Sequence, residues 1–231
     1  MKTKRAVVLC SGGLDSTVAA AEARAAGFEL YVLSVNYGQR HLVELKTVPE
    51  IARALGAKDS LVIDLNLRAI GGSALTADVP VPKNRTEGEI GRQIPTTYVP
   101  ARNTIFLSLA LGWAEVIEAD TIYLGANVLD YSGYPDCRPE FLEAFNRLTL
   151  VGTRAGVAGH PVHIEAPLLK MSKAEIIQRG IVLQAPLHLT HSCYDPDDDG
   201  RSCGRCDSCR LRLKGFAEAG LPDPAVYASH G

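Results

Sequence analysis

No stretch of this sequence approaches the roughly 20 consecutive apolar residues that a membrane span needs. The early run VVLC is also too short for a signal-peptide core before the chain reaches Gly12 and Gly13. A chain working in the cytoplasm, with no membrane partner, is the expectation. Neither sign of charge dominates: 24 Lys and Arg stand against 26 Asp and Glu, for a formal net charge of -2. So balanced a composition gives no reason to expect a nucleic-acid partner. Cysteine is scarce except in one place, where Cys193, Cys203, Cys206 and Cys209 account for four of the six in the chain. In a reducing compartment such a cluster holds metal or does redox chemistry more readily than it forms structural disulfides. With 46% hydrophobic residues among 231, one domain can build its core without staples.

What is present is alternation. Apolar β-type runs at 6–10, 30–35, 60–65, 121–125 and 162–166 are separated by helical patterns at 17–26, 41–55, 104–117 and 139–150. A further helix starts at Ser172, where Ser172 and Glu175 have the spacing of a capping box. Strands alternating with helices make a parallel sheet. The expected fold is α/β, a Rossmann-like three-layer sandwich whose five parallel strands run in the order 3-2-1-4-5. Residues 66–101 interrupt the pattern with Gly, Pro and polar residues over too long a span for an idle connection, and 66–98 is expected to act as a lid. Residues 1–185 then form the α/β domain. From 186 onward the pattern stops, which leaves 186–231 as a small cysteine-bearing segment.

The first chemical motif is VVLCSGGLDST, a buried strand that runs through Ser11, Gly12 and Gly13 into a helix. Adjacent glycines let backbone N–H groups approach an anion, and the helix N-terminus adds its positive end, so the turn suits pyrophosphate. No Gly-Lys-Ser/Thr follows, which excludes the Walker A pattern, and the dinucleotide GxGxxG spacing is also absent. The SGGxDS string resembles the PP-loop of ATP pyrophosphatases, which split ATP between its α and β phosphates to adenylate a substrate. That resemblance implies an ATP-binding loop made of Cys10, Ser11, Gly12, Gly13, Leu14, Asp15, Ser16 and Thr17, with Asp15 helping to place Mg2+. It also implies a fold of the adenine nucleotide alpha hydrolase type.

Ligands of open α/β sheets gather at the C-terminal strand ends, and three polar clusters fall there: NYGQRH after the second strand, YVPARN before the third helix and the stretch from Gly125 to Arg138 after the fourth strand. Together SGGLDST, NYGQRH, VPARNTIFLS, DYSGYPDCR and CGRCDSCRLR resemble the 7-cyano-7-deazaguanine synthase family over nearly the whole chain. The resemblance implies conversion of 7-carboxy-7-deazaguanine and ammonia to the nitrile through an adenylated acid and an adenylated amide, using ATP and Mg2+. A homodimer carrying one structural Zn2+ per chain is implied as well. The sequence does not distinguish AMP from ADP as the nucleotide product.

Roles follow from the motifs. Arg102 is the candidate for holding negative charge on ATP or the adenylate, and Lys173, in PLLKMSKAEI, resembles a phosphate-contacting lysine of PP-loop enzymes. Both are taken as catalytic candidates. For the purine-like base, Asp130 or Asp136 suits paired N–H donors, and Tyr131 or Tyr134 offers a stacking face, with helix capping and aromatic packing as their alternative uses. Cys10 reads as a small buried hydrophobe, and Cys137 as site architecture, since an adenylate route needs no thiol nucleophile. A PP-loop enzyme that thiolates tRNA is the alternative function, although it would want a basic face or an RNA-binding extension.

DPDDDG imitates half of a calcium loop, but the twelfth position, where a bidentate Glu belongs, is Cys206. Four thiolates from Cys193, Cys203, Cys206 and Cys209 match the tetrahedral preference of zinc. The closely spaced run Cys203, Cys206, Cys209 also resembles part of a ferredoxin motif, so an iron–sulfur cluster is the alternative occupant.

Overall fold

The computed structural model describes residues 3–40, 42–86, 88–90, 94–129 and 133–229. Its centre is β1 (Arg5–Leu9), flanked by β2 (Glu29–Asn36) and β4 (Thr121–Leu124), with β3 (Asp59–Asp64) and β5 (His163–Glu165) outermost. All four pairings are parallel, and the order β3-β2-β1-β4-β5 is the one expected from the alternation of patterns. Parallel neighbours require crossovers, and the helices that supply them are α1 (Leu14–Ala25), α2 (Val43–Ala54), α3 (Arg102–Val116) and α4 (Pro139–Gly152).

Successive side chains of a strand point to opposite layers. Val7 and Leu9 therefore pack with Leu107 and Leu111 of α3 and Phe145 of α4, while Ala6 and Val8 pack with Ala20 of α1 and Ile51 of α2. Each fully buried Val or Leu contributes about 1.5–3 kcal/mol, so these two layers supply most of the fold's cohesion. No helix among the described residues is long and apolar enough to cross a membrane.

Three differences from the sequence reading bear on the site. First, α1 begins at Leu14 and not at 17, which places Asp15 and Ser16 inside its first turn. Its N-cap is Gly13, which has no side-chain oxygen to announce a helix start. Second, the short α5 (Arg154–Val157) and the longer α7 (Asp207–Glu218) do not figure among the expected helices. The inward face of α7 is Ser208, Cys209, Arg212, Gly215 and Phe216. Those positions keep helical spacing, but most are not apolar, so hydrophobic periodicity does not reveal them. Third, the segment after 186 is packed against the rest of the chain: α7 lies on α6 (Lys173–Val182), and Phe216 shares a cluster with Leu14, Val18, Ile176 and Ile177. At α6 the capping box forms as read, Ser172 Oγ accepting from Glu175 N at 3.3 Å and Glu175 Oε2 from Ser172 N at 2.7 Å.

The described part of the long connection is tied to the cysteine segment. Lys83 pairs with Asp195 at 2.6 Å, Asn84 N donates to Arg205 O at 2.9 Å, and Arg85 Nε donates to Asp207 Oδ1 at 3.1 Å. Ala74 and Val81 pack directly on the four cysteines.

Candidate active site

At the C-terminal end of β1 the chain approaches its neighbours closely. Gly12 has φ +87°, and a Cβ there would lie 2.1 Å from the carbonyl oxygen of Glu44, so only glycine fits against the first turn of α2. On the other side Gly125, just past β4, admits the backbone of α1, since a Cβ would lie 2.8 Å from Ser16 N. Between these two contacts Ser16 Oγ accepts from Ser11 N at 3.2 Å and donates to Gly13 O at 3.0 Å. Thr17 Oγ1 also donates to Gly13 O, at 2.9 Å. The glycine cap leaves the first turn of α1 with no side-chain cap of its own, and Ser192 Oγ accepts from Leu14 N at 3.4 Å. The result is a rigid loop with a helix N-terminus facing a cavity of about 200 Å³.

That cavity gathers most of the residues singled out in the sequence. Cys10, Ser11, Gly13, Leu14, Asp15, Ser16, Arg102, Asn103, Tyr134, Cys137 and Lys173 all line it. Lys173 Nζ reaches both oxygens of Asp15, at 2.7 and 2.8 Å, from a side chain that is 8% exposed. Its stem crosses α7 at Gly215, where a Cβ would fall 2.3 Å from Lys173 Cγ. Arg102 is the first residue of α3, and Ala101 before it adopts φ +54°, a left-handed turn uncommon for a residue with a Cβ. Burial works against the Arg102 charge, but the Tyr37, Tyr134 and Tyr194 hydroxyls and the Cys137 thiol raise its proton affinity above the ordinary value. It is a fixed cation in the wall.

Asp136 does something different. Its Oδ2 accepts from Asn103 N at 3.0 Å and its carbonyl from Asn103 Nδ2 at 2.9 Å, so it anchors the start of α3. It stands behind the cavity wall, although its Oδ1 is buried with no partner among the described residues. Asp130 and Tyr131 lie outside the described residues. Tyr134 packs edge-on against Tyr98 at 5.7 Å and shares a 2.8 Å hydroxyl contact with Thr97. Cys137 is pushed up to about 11 by burial, which suits a wall and not a nucleophile. Cys10 is likewise raised by burial.

Sequence reasoning missed several lining residues. Tyr37 belongs to the NYGQRH cluster, and burial pushes its hydroxyl up to about 12. Glu44 follows shortly after, in the first turn of α2, and burial pushes its carboxyl up to about 8 against the pull of Arg102 and Gln39. Their position after β2, at the C-terminal end of the parallel strands where ligands gather, was the available signal. Ser192, Tyr194, Ser208 and Arg212 also line the cavity, so the cysteine segment forms part of its wall. Arg212 is 3% exposed, held by Asp223 at 3.0 Å and donating to Thr190 Oγ1 at 2.8 Å.

The four cysteines are reduced and buried, and their sulfurs lie within 4.8 Å of one another. Backbone amides point at three of these sulfurs: Asp195 N and Cys203 N at Cys193 Sγ (3.3 and 3.2 Å), Cys206 N at Cys203 Sγ (3.3 Å), and Tyr194 N at Cys206 Sγ (3.5 Å). Such donors stabilise thiolates. The donor set fits one soft tetrahedral cation; a four-iron cube would require sulfurs set farther apart.

Comparison with known proteins agrees with this arrangement. The family described as queuosine biosynthesis protein QueC matches residues 5–220. A 7-cyano-7-deazaguanine synthase from Syntrophotalea carbinolica is 62% identical over 98% of this chain and 97% of its own length. Another from Geobacter sulfurreducens is 58% identical over 99% of this chain and 95% of its own. Among solved structures, the NMN synthetase of Francisella tularensis aligns with a TM-score of 0.49 at 14% identity, covering 96% of this chain and 79% of that one. A match spanning β1 through α7, together with full-length relatives at this identity, means that the chain belongs to the queuosine biosynthesis protein QueC family.

Proposed function

We propose that this protein converts 7-carboxy-7-deazaguanine and ammonia to 7-cyano-7-deazaguanine at the expense of ATP, activating first the acid and then the amide in one cavity. The observation that carries the reading is the meeting of the SGGLDS loop with Lys173, Asp15 and Arg102 around that cavity, in a chain whose relatives are named for this product. A carboxylate resists attack until one oxygen becomes part of a good leaving group, and transfer of AMP supplies one. Ser11, Gly12, Gly13, Ser16 and the first turn of α1 hold the β and γ phosphates as pyrophosphate departs. Lys173 and Arg102 neutralise charge that builds on the α-phosphate, and little else is needed beyond positioning. Ammonia displaces AMP to give the amide, whose oxygen is then adenylated in turn.

Carboxylate oxygens are what Mg2+ takes together with substrate phosphates, and Asp15 is the lining carboxylate placed to join such a set. Bound there, the ion would neutralise phosphate charge. Cys193, Cys203, Cys206 and Cys209 would hold Zn2+ in a structural role, and with it bound a tail of few apolar residues would be ordered and Tyr194, Ser192 and Arg212 kept in the cavity wall. The lid reading for 66–98 is supported by Leu75, which lines the cavity. Asp136 acts on the base indirectly, by fixing α3 and Arg102.

The test is incubation of purified protein with ATP, Mg2+, ammonium and 7-carboxy-7-deazaguanine under reducing conditions, with the nitrile read by mass. Nitrile that depends on each component supports the reading. Thiolated tRNA from the same protein, with no nitrile, overturns it.

A further inference from the structure

Making a nitrile from an adenylated amide, R–C(O–AMP)=NH2+, removes two protons from nitrogen, and the cavity must hold a group to take them. Arg102 is a fixed cation and cannot accept one. Lys173 meets Asp15 as an ammonium, which carries donors and no acceptor, and Asp15 is the carboxylate already assigned to Mg2+. Cys10, Cys137 and Tyr37 are buried groups that keep their own protons at neutral pH. Of the two carboxylates that line the cavity among the described residues, Asp15 and Glu44, Glu44 is left.

Its placement fits the task. The carbonyl of Glu44 is the atom against which Gly12 packs, so this first turn of α2 is fixed to the phosphate loop itself. The carboxyl is half-buried in the cavity wall, faced by Arg102 from α3, by Gln39 and Tyr37 from the turn after β2, and by Cys10 from the end of β1. Among the described residues it makes no ion pair with Arg102 within 4 Å. We propose that Glu44 is the proton acceptor for nitrogen at this site, a role that rests on the nitrile-forming reading. In the first half, ammonia attacks the acyl carbon, the C–O bond to AMP breaks with its electron pair on the phosphate oxygen, and one N–H proton passes to Glu44. Released to water, that proton leaves the carboxylate free again. In the second half the adenylated amide passes one N–H proton to Glu44, which releases it to water as before, and the neutral imidate remains. Glu44 then takes the other, its N–H electron pair forms the third C–N bond, and AMP departs with the C–O pair.

An acceptor must first be ionised. With Glu44 pushed up to about 8 by burial, kcat/KM should rise with pH through that value, since this ratio reports the free enzyme. The pre-formed amide with ATP and Mg2+ is the substrate of choice, because it omits ammonia and the titration of ammonia. We expect E44Q to lower nitrile formation about 10²–10⁴-fold and to lose the alkaline rise. Exchange of labelled pyrophosphate into ATP, driven by the carboxylic acid substrate, should fall by far less. E44D, which keeps a carboxylate, should recover part of the rate and the rise. The proposal is overturned if E44Q makes nitrile at a rate close to the parent, if its pH rise persists, or if extra Mg2+ restores it, which would make Glu44 a metal ligand. A parent protein inert with both acid and amide overturns the nitrile-forming reading instead.

Discussion

Replacing Gly215 with Ala tests how α7 positions Lys173. In an open helix interior a Gly to Ala change stabilises by about 0.5–1 kcal/mol. Gly112, exposed on α3 with no neighbouring atom within 4 Å of where a Cβ would sit, should show that gain. At Gly215 the same methyl would lie 2.3 Å from Lys173 Cγ, 2.8 Å from Lys173 Cβ and 3.0 Å from Ile177 Cδ1. Lys173 Cβ is fixed by the backbone of α6, so the two helices must separate to admit it. Overpacking of this kind costs about 1–3 kcal/mol, which outweighs the propensity gain and leaves a net loss of about 0.5–2 kcal/mol. Urea unfolding of G112A, G215A and parent, each with metal bound, measures the difference. Placing G215A in a K173A background should reduce its cost, because the nearest clash is gone. If G215A is as stable as the parent, or its cost is unchanged by K173A, the packing argument fails.

Other expectations can be checked separately. Cys206→Ala should abolish stoichiometric metal, read by elemental analysis, and should open Lys83 and Arg85 to trypsin, since both are tied to the cysteine segment. Arg212→Met should cost about 3 kcal/mol or more by leaving the buried Asp223 carboxylate unpaired. Burial opposes the Asp223 charge, but Arg212, the Tyr227 hydroxyl and the Ala225 amide hold the carboxyl below its ordinary range. Its stabilisation is therefore full above the unfolded value of about 3.9 and is lost as pH falls through the lower folded value, an acid limb that D223N should flatten. Cys137, at about 11, should present about one thiolate in a thousand at pH 8, so iodoacetamide should label it far more slowly than an exposed thiol. Gly12→Ala, forced to φ +87° with a Cβ 2.1 Å from Glu44 O, should abolish ATP binding, measured by calorimetry.

Much of this molecule is written in short-range pattern. Val7 and Leu9 against Ala6 and Val8 announce a strand buried on both faces, and five such runs between helical patterns announce a parallel sheet, whose order 3-2-1-4-5 was a guess that the structure bears out. The phosphate loop is legible because glycine pairs have few other uses between a strand and a helix. What escaped depends on contacts far apart in sequence. Nothing local says that Lys173 will meet Asp15, that Glu44 will face Arg102, or that Tyr194 and Arg212 will come from the cysteine segment to close the cavity. Asp136 was legible as a polar residue near the site, but its attachment to Asn103 is a tertiary fact. Helix α7 was hidden because it buries Ser208, Arg212 and Gly215, whose burial is made tolerable by Asp223 and by the stem of Lys173.

The central claim is that one cavity activates the same carbon twice through its oxygens. The most direct measurement supplies 7-carboxy-7-deazaguanine labelled with oxygen-18 in both carboxylate positions, together with ATP, Mg2+ and ammonia, and follows the label by mass. Two successive adenylations carry one labelled oxygen each into AMP, so two singly labelled AMP molecules should appear for every nitrile. Label recovered in inorganic phosphate, or nitrile formed with only one labelled AMP, would contradict the account.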